Sequence, residues 1–155
     1  MRPLLAPEQT LQLYQILKKL GTAMEALQFI DLAGEIQEDS RGFSFYPLKG
    51  RVQDPGRLPA DFHLVSIAPG QTRGNHLHPE RWEWLYPFHG RGLFRWEPRP
   101  GDRQEQEVSG RRLLIRIPPG VPHALHNPGP EPLYLLAWRE GESAAAADSV
   151  PYSLG

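Results

Sequence analysis

From Gly34 onward the chain is cut at short intervals by turn residues: Asp54-Pro55-Gly56, Pro69-Gly70, Arg99-Pro100-Gly101, Pro118-Pro119-Gly120 and Pro128-Gly129-Pro130. Between the cuts lie short apolar runs: Phe43 to Leu48, Phe62 to Ala68, Asn75 to His78, Glu83 to Phe88, Gly92 to Glu97, Arg111 to Ile117, His123 to His126 and Pro132 to Trp138. Such runs are too short for helices, and their regular spacing with turn residues between them predicts an all-β domain, an antiparallel sandwich or barrel. The 15 glycines and 17 prolines make up about a fifth of the 155 residues, and they stand singly or in pairs as punctuation rather than as a low-complexity block.

One segment reads differently. Leu11, Tyr14, Leu17 and Leu13, Ile16, Leu20 recur at helical spacing after Pro7, which suits a first turn, and Gly21 can end it. The expected organisation is an N-terminal α-helix within residues 1–33, weakly continued through Met24 to Ile30. A barrel over 34–140 and a loosely held tail over 141–155 follow, the tail containing the run Ala144 to Ala147. A chain of this length is one domain. Along Arg111 to Ile117, Leu113, Ile115 and Ile117 share one face, and Arg112 and Arg116 are expected on the other, toward solvent.

Composition narrows the chemistry. The formal net charge is -1, from 17 basic and 18 acidic residues, which speaks against a nucleic-acid-binding domain. No apolar run approaches the roughly 20 residues that span a bilayer, and residues 1–20 carry Glu8, Gln9, Lys18 and Lys19, so a cytoplasmic protein is expected. There is no cysteine, so any metal must be held by histidine and carboxylate. Arginine outnumbers lysine 14 to 3, which favours bidentate contacts to carboxylate or phosphate.

Among the six histidines, His76 and His78 stand two apart on an expected strand, so both imidazoles face one side. Glu83 can enter from the next strand and His123 from a distant hairpin; Glu80, two residues past His78, is the competing carboxylate. Three imidazoles and one carboxylate would leave one or two positions open on an octahedral metal. His63, His89 and His126 do not share this spacing. The register around the pair is longer than the pair itself: Gly70, His76, His78, Glu83 and Gly90 fit G-x5-H-x-H-x4-E-x6-G, and Pro118, Gly120, His123 and Asn127 fit P-x-G-x2-H-x3-N.

These two stretches resemble both signature motifs of the cupin superfamily over about Phe43 to Trp138. The one departure is Gly110, which seven residues separate from Pro118 where five are commoner. The resemblance implies an antiparallel double-stranded β-helix, a jelly-roll barrel, with one divalent ion (zinc, iron, nickel or manganese) held by His76, His78, Glu83 and His123. Asn127 would serve the turn after His123. Cupins of this kind usually pair through a sheet, so a homodimer is expected.

The segment RGNHLH and the stretch Asp39-Ser40-Arg41-Gly42-Phe43 resemble the sugar-nucleotide branch of that superfamily: the dTDP-4-keto-6-deoxyhexose epimerases and isomerases and the cupin domain of capsular polysaccharide reductases. The resemblance implies a sugar or sugar nucleotide as ligand and His76 in the place of a base. A histidine bound to metal is not free to be a base, so a metal-centred site is preferred. Three function classes follow: a metal-dependent isomerase or epimerase on a carbohydrate or related polar molecule, an iron dioxygenase, and a ligand-binding module without turnover. Tyr86, Phe88, Trp96 and Trp138 offer stacking faces, and Arg41, Arg73 and Arg95 could meet an anion. Of these, Arg73, Arg95 and Trp138 are the expected substrate-binding residues at a mouth on the barrel axis.

Overall fold

The computed structural model describes Ala6, Glu8, Gln9, Gln12 and residues 26–141 and 148–154. Glu8, Gln9 and Gln12 are helical; the rest of the expected N-terminal helix lies outside the described residues, as does the run Ala144 to Ala147. Twelve strands follow: β1 (Gln28–Asp31), β2 (Gln37–Asp39), β3 (Gly42–Ser44), β4 (Ala60–Ile67), β5 (Thr72–Leu77), β6 (Glu83–His89), β7 (Arg91–Trp96), β8 (Gln104–Ser109), β9 (Leu113–Ile117), β10 (His123–His126), β11 (Leu133–Arg139) and β12 (Val150–Pro151). They form two five-stranded sheets, ordered β1-β9-β6-β11-β4 and β12-β5-β10-β7-β8, and a separate β2-β3 hairpin. Every strand pairing is antiparallel. This is the all-β antiparallel architecture expected of the turn-punctuated sequence, in the jelly-roll form that the resemblance implies.

Period-two alternation sorts the strands into an inner and an outer face. On β11, Leu133, Leu135 and Ala137 enter the core between the sheets, together with Ile67, Leu85, Phe94, Ile115, Ile117 and Leu125. The other face of the first sheet is not left to water. Trp84, Tyr86, Leu114 and Trp138 form a second cluster there with Leu32, and Ile36, Phe45 and Leu48 pack on it from the connection between β1 and β4. The expectation that Arg112 and Arg116 both face solvent therefore holds only for Arg112. Arg116 lies 3.8 Å over the Trp82 ring and donates to Glu140 at 3.1 Å. Its aliphatic stem and planar head suit an aromatic surface that would otherwise be wet.

Strands from both flanking segments add to the sheets. β1 pairs with β9, and its residues 28–30 belong to the stretch expected as a weak helical continuation. Here Phe29 packs against the inner core and Ile30 against the outer cluster, a strand's alternation rather than a helix's stripe. Within the expected tail, Val150 pairs with Leu77 and is fully buried. Among the described residues no helix is long and apolar enough to cross a membrane.

Candidate metal centre

A β-bulge sets the face on which the site is built. His76 is opposite His123, but Ala124 is opposite Gly74, so Asn75 is the extra residue on β5. Gly74 has φ +98°, and a Cβ there would stand 2.8 Å from the His123 carbonyl oxygen, so only glycine fits. Asn75 also has positive φ, 53°. Its carbonyl oxygen accepts from the Tyr152 amide at 2.8 Å and its side-chain oxygen from the Leu154 amide at 3.0 Å. Because of the bulge, Arg73 and His76, three apart in sequence, both reach the interior.

His76, His78, Glu83 and His123 converge, with one donor atom from each lying within 4.8 Å of the others. That is slightly wider than opposed ligands at roughly 2.0–2.2 Å from one ion would be. The His76 ring centroid is 4.7 Å from that of His78 and 4.9 Å from that of His123. His78, Glu83 and His123 are buried.

The tautomers can be read from the partners. His78 Nδ1 donates to the Asp148 carbonyl oxygen and His123 Nδ1 to the Val121 carbonyl oxygen, both at 2.9 Å. A neutral imidazole has one N–H, so each Nε2 then carries a lone pair. His123 Nε2 lies 2.8 Å from Glu83 Oε1 and His78 Nε2 lies 3.1 Å from Oε2. The second contact lacks hydrogen-bond alignment, leaving His78 Nε2 a buried polar atom without a hydrogen bond. Two such nitrogens facing one carboxylate are satisfied either by protons on the imidazoles or by a cation between them, and three imidazoles with one carboxylate are a donor set that fits a divalent metal.

Burial, then the neighbouring His123 and His78, bring His76 down to about 3, so its lone pair is available at neutral pH. Burial alone would work against ionisation of Glu83, but the His123 and His78 contacts outweigh it and hold the carboxyl well below its ordinary range. Arg139 also donates to Glu83 Oε2 at 3.0 Å. Behind it stands an ion network: Asp61 accepts from Arg139 at 2.8 Å and from Arg81 at 2.6 Å, and Arg81 donates to Asp148 at 2.5 Å.

Beside the four side chains lies a cavity of about 160 Å³, walled by β4, β5, β6, β10 and β11. Its polar lining consists of His63, Arg73, His76, Glu83, His123 and Arg139; the rest is mainly aliphatic. Of the expected substrate-binding residues, only Arg73 is brought here, anchored through Nε on the Ser66 carbonyl oxygen at 2.9 Å. Arg95 sits on the opposite phase of β7 from Phe94 and Trp96 and pairs with Glu105 at 2.7 Å. Trp138 has no exposed surface and stacks on Trp84 in the outer cluster, with 5.7 Å between ring centroids. The Asp39 to Phe43 stretch is the exposed β2-β3 hairpin, away from the cavity lining.

The remaining candidates fall outside the cluster. Glu80 is exposed in the turn before β6. His126 contacts Thr72 Oγ1 at 2.8 Å, and exposed His89 approaches the Pro132 carbonyl oxygen at 3.1 Å. Asn127 serves its turn: its amide donates to the carbonyl oxygens of Ile67 and Glu131, while its Oδ1 accepts from Gly129. Sequence reasoning did not single out Arg81, Arg139, Asp61 or Asp148, which no spacing marks. It set His63 aside, although the phase His63, Val65, Ile67 on β4 points to the interior.

Residues 63–139 match the family model described as Cupin domain. No curated protein sequence matches the chain. Among solved structures, a variant of the 3,4-ketoisomerase QdtA from Thermoanaerobacterium thermosaccharolyticum, in complex with TDP-4-keto-6-deoxyglucose, is 18% identical with a TM-score of 0.64, covering 80% of this chain and 86% of that one. A 3,4-ketoisomerase from Helicobacter canadensis is 14% identical with a TM-score of 0.61, covering 80% and 89%. The capsular polysaccharide assembling protein CapF from Staphylococcus aureus is 24% identical with a TM-score of 0.55, covering 77% of this chain but 34% of CapF. At these identities the likeness is one of fold. The matched domain spans every strand that carries a histidine or glutamate of the cluster, and on that match, with both motifs in register, the chain belongs to the cupin superfamily.

Proposed function

We propose that the protein is a metal-dependent isomerase acting on a keto sugar or a related polar small molecule, most simply a sugar carried on a nucleoside diphosphate. The observation that carries this reading is the set of three imidazoles and one carboxylate at the wall of a cavity, with the Nε2 atoms of His78 and His123 turned on Glu83. A bound divalent ion would act as a Lewis acid toward the carbonyl and hydroxyl oxygens of a ligand. The chain itself supplies the rest. The Asp148 and Val121 carbonyls fix the ring orientations, as outer partners of metal-binding histidines do. Arg139 offsets the charge of Glu83, and Val65, Ile67, Leu85, Leu125 and Leu135 keep the cavity apolar around the reacting atoms.

Size constrains the ligand. A cavity of about 160 Å³ is smaller than the roughly 300–1,000 Å³ that takes a drug-sized molecule. It suits a sugar ring, so a nucleotide must lie outside it, where Arg73 can meet the diphosphate. The fold shared with 3,4-ketoisomerases supports the same class. We also propose that two copies of the chain form a homodimer.

The test is elemental analysis of the purified protein, followed by incubation of the metal-loaded form with TDP-4-keto-6-deoxyglucose and product analysis by NMR. One ion per chain and an isomerised sugar are expected. Iron with oxygen consumption would instead favour a dioxygenase, and saturable sugar binding without product a ligand-binding module.

A further inference from the structure

The cavity lining includes a histidine that is not part of the four-residue cluster. His63 stands on β4 directly opposite Ala137, whose side chain is in the core, and it shares the inner phase of that strand with Val65 and Ile67. Its Nδ1 lies 2.5 Å from the Asp61 carbonyl oxygen, so that nitrogen donates and Nε2 is the accepting one. Asp61 holds this carbonyl in place from a left-handed backbone, φ 52°, which aspartate tolerates better than most residues. Its carboxylate is clamped by Arg81 and Arg139. The His63 ring is therefore oriented through Nδ1, while the residue remains exposed at the mouth.

Elimination among the polar lining residues leads to the same side chain. His76, Glu83 and His123 each offer a donor atom to the four-residue cluster and are committed there when a metal is bound. Arg73 and Arg139 carry guanidinium groups, which do not give up a proton at any working pH. An isomerase that moves a hydrogen between neighbouring carbons needs a group that both takes and returns a proton near neutrality, and imidazole is the side chain suited to this.

We propose that His63 is the catalytic acid and base of the isomerisation, an assignment that rests on the isomerase reading above. Its Nε2 takes the proton from the carbon that bears the hydroxyl beside the ketone. The electrons of that C–H bond become the C=C bond of an enediolate, and the carbonyl π pair moves onto oxygen. The hydroxyl proton passes to the neighbouring oxygen. The imidazolium then returns its proton to the former carbonyl carbon, so ketone and hydroxyl exchange places with no net change in protons or electrons. The charged and titratable groups that face the cavity with His63 are Arg73 and His76 from β5, Glu83 from β6, His123 from β10 and Arg139 from β11.

The experiment compares the metal-loaded parent with His63→Gln and His63→Ala, using TDP-4-keto-6-deoxyglucose in deuterated water. For a lost acid–base group, kcat should fall by about 100-fold or more, with deuterium incorporation into the sugar falling in parallel. Metal content and TDP affinity by calorimetry should stay within about threefold of the parent, since no ligand or anchor of the diphosphate is removed. Added imidazole should restore part of the activity of His63→Ala, which a merely structural defect would not allow. A His63→Gln enzyme that keeps its kcat within about fivefold, or still incorporates deuterium at the parental rate, overturns the assignment while leaving the isomerase reading intact. A parent that neither converts nor deuterates the sugar overturns both.

Discussion

His78 and Asp148 are 70 positions apart in sequence, yet the ring of the first donates from Nδ1 to the main-chain carbonyl oxygen of the second at 2.9 Å. The segment read from sequence as a loose tail therefore fixes the tautomer of a residue in the cluster. Its Asp148 carboxylate meets Arg81, and its backbone amides at Tyr152 and Leu154 hold the bulge residue Asn75. Truncation before Asp148 should reduce metal affinity by about 10- to 100-fold, the usual effect of losing an outer partner of a metal-binding histidine. Competition with a chromophoric chelator measures this, and unchanged affinity would separate the segment from the site.

The cluster itself makes a sharper prediction. His78→Ala and His123→Ala should each abolish near-stoichiometric metal binding, because each removes an Nε2 directed at Glu83. His89→Ala should bind metal like the parent, since that exposed ring sits at the far end of β6 near Pro132. Elemental analysis of the three purified variants decides it; metal retained by His123→Ala would argue for a different donor set.

The four-residue cluster was legible because its information is local: residues at fixed spacing on short strands bounded by glycine and proline. The inner core was legible for the same reason, through alternation on strands such as Leu113 to Ile117. What stayed hidden depends on contacts between distant segments. β8 reads QEQEVS, almost wholly polar, because it is an edge strand that buries only Val108. The outer cluster could not be seen from Leu114 and Trp138 alone, since their cover comes from residues 32–48 on another part of the chain. Arg81, Arg139, Asp61 and Asp148 lie in turns or at strand ends, where charge is ordinary, and only the fold shows that they meet.

Acid should destabilise the metal-free protein in a defined window. Burial and the neighbouring His123 and His78 hold folded His76 at about 3, against an ordinary value of 6.5. The folded value is the lower one, so the unfolded chain takes up a proton that the folded chain refuses. This contribution to stability is complete above about 6.5 and is lost as pH falls toward about 3. The Tm of metal-free protein should drop between pH 7 and pH 4, and His76→Gln should flatten that slope. Equal slopes for parent and variant would show that His76 does not control it.

Trp138 should matter to stability rather than to ligand binding. It is fully buried against Trp84 and Phe62 on the outer side of the sheet. Trp138→Phe, which keeps most of the packing, should fold with a lowered Tm and bind TDP like the parent. Trp138→Ala should lose about 3–5 kcal/mol, as large-to-small changes in a core do. Arg73→Ala should behave oppositely, with weaker TDP binding and an unchanged Tm. Calorimetric titration with TDP beside thermal melts separates the two behaviours.

The homodimer prediction can be tied to one strand. Among the described residues β4 is the edge of its sheet and pairs with β11 alone, so its outer edge offers unpaired backbone groups to a second chain. Leu64 on this strand is 71% exposed and lies directly opposite Leu136, with Leu58, 72% exposed, and Tyr46, 69% exposed, on the preceding connection and Tyr134 on β11. A run of large apolar side chains along an open sheet edge is what a second copy would cover. Leu64→Glu places a charge in the middle of it without touching the inner face of β4, where His63, Val65 and Ile67 line the cavity. Light scattering at micromolar concentration should give twice the chain mass of 17.6 kDa for the parent and the single-chain mass for Leu64→Glu. A parent of single-chain mass would rule the dimer out. A Leu64→Glu protein that still pairs would move the interface to another face.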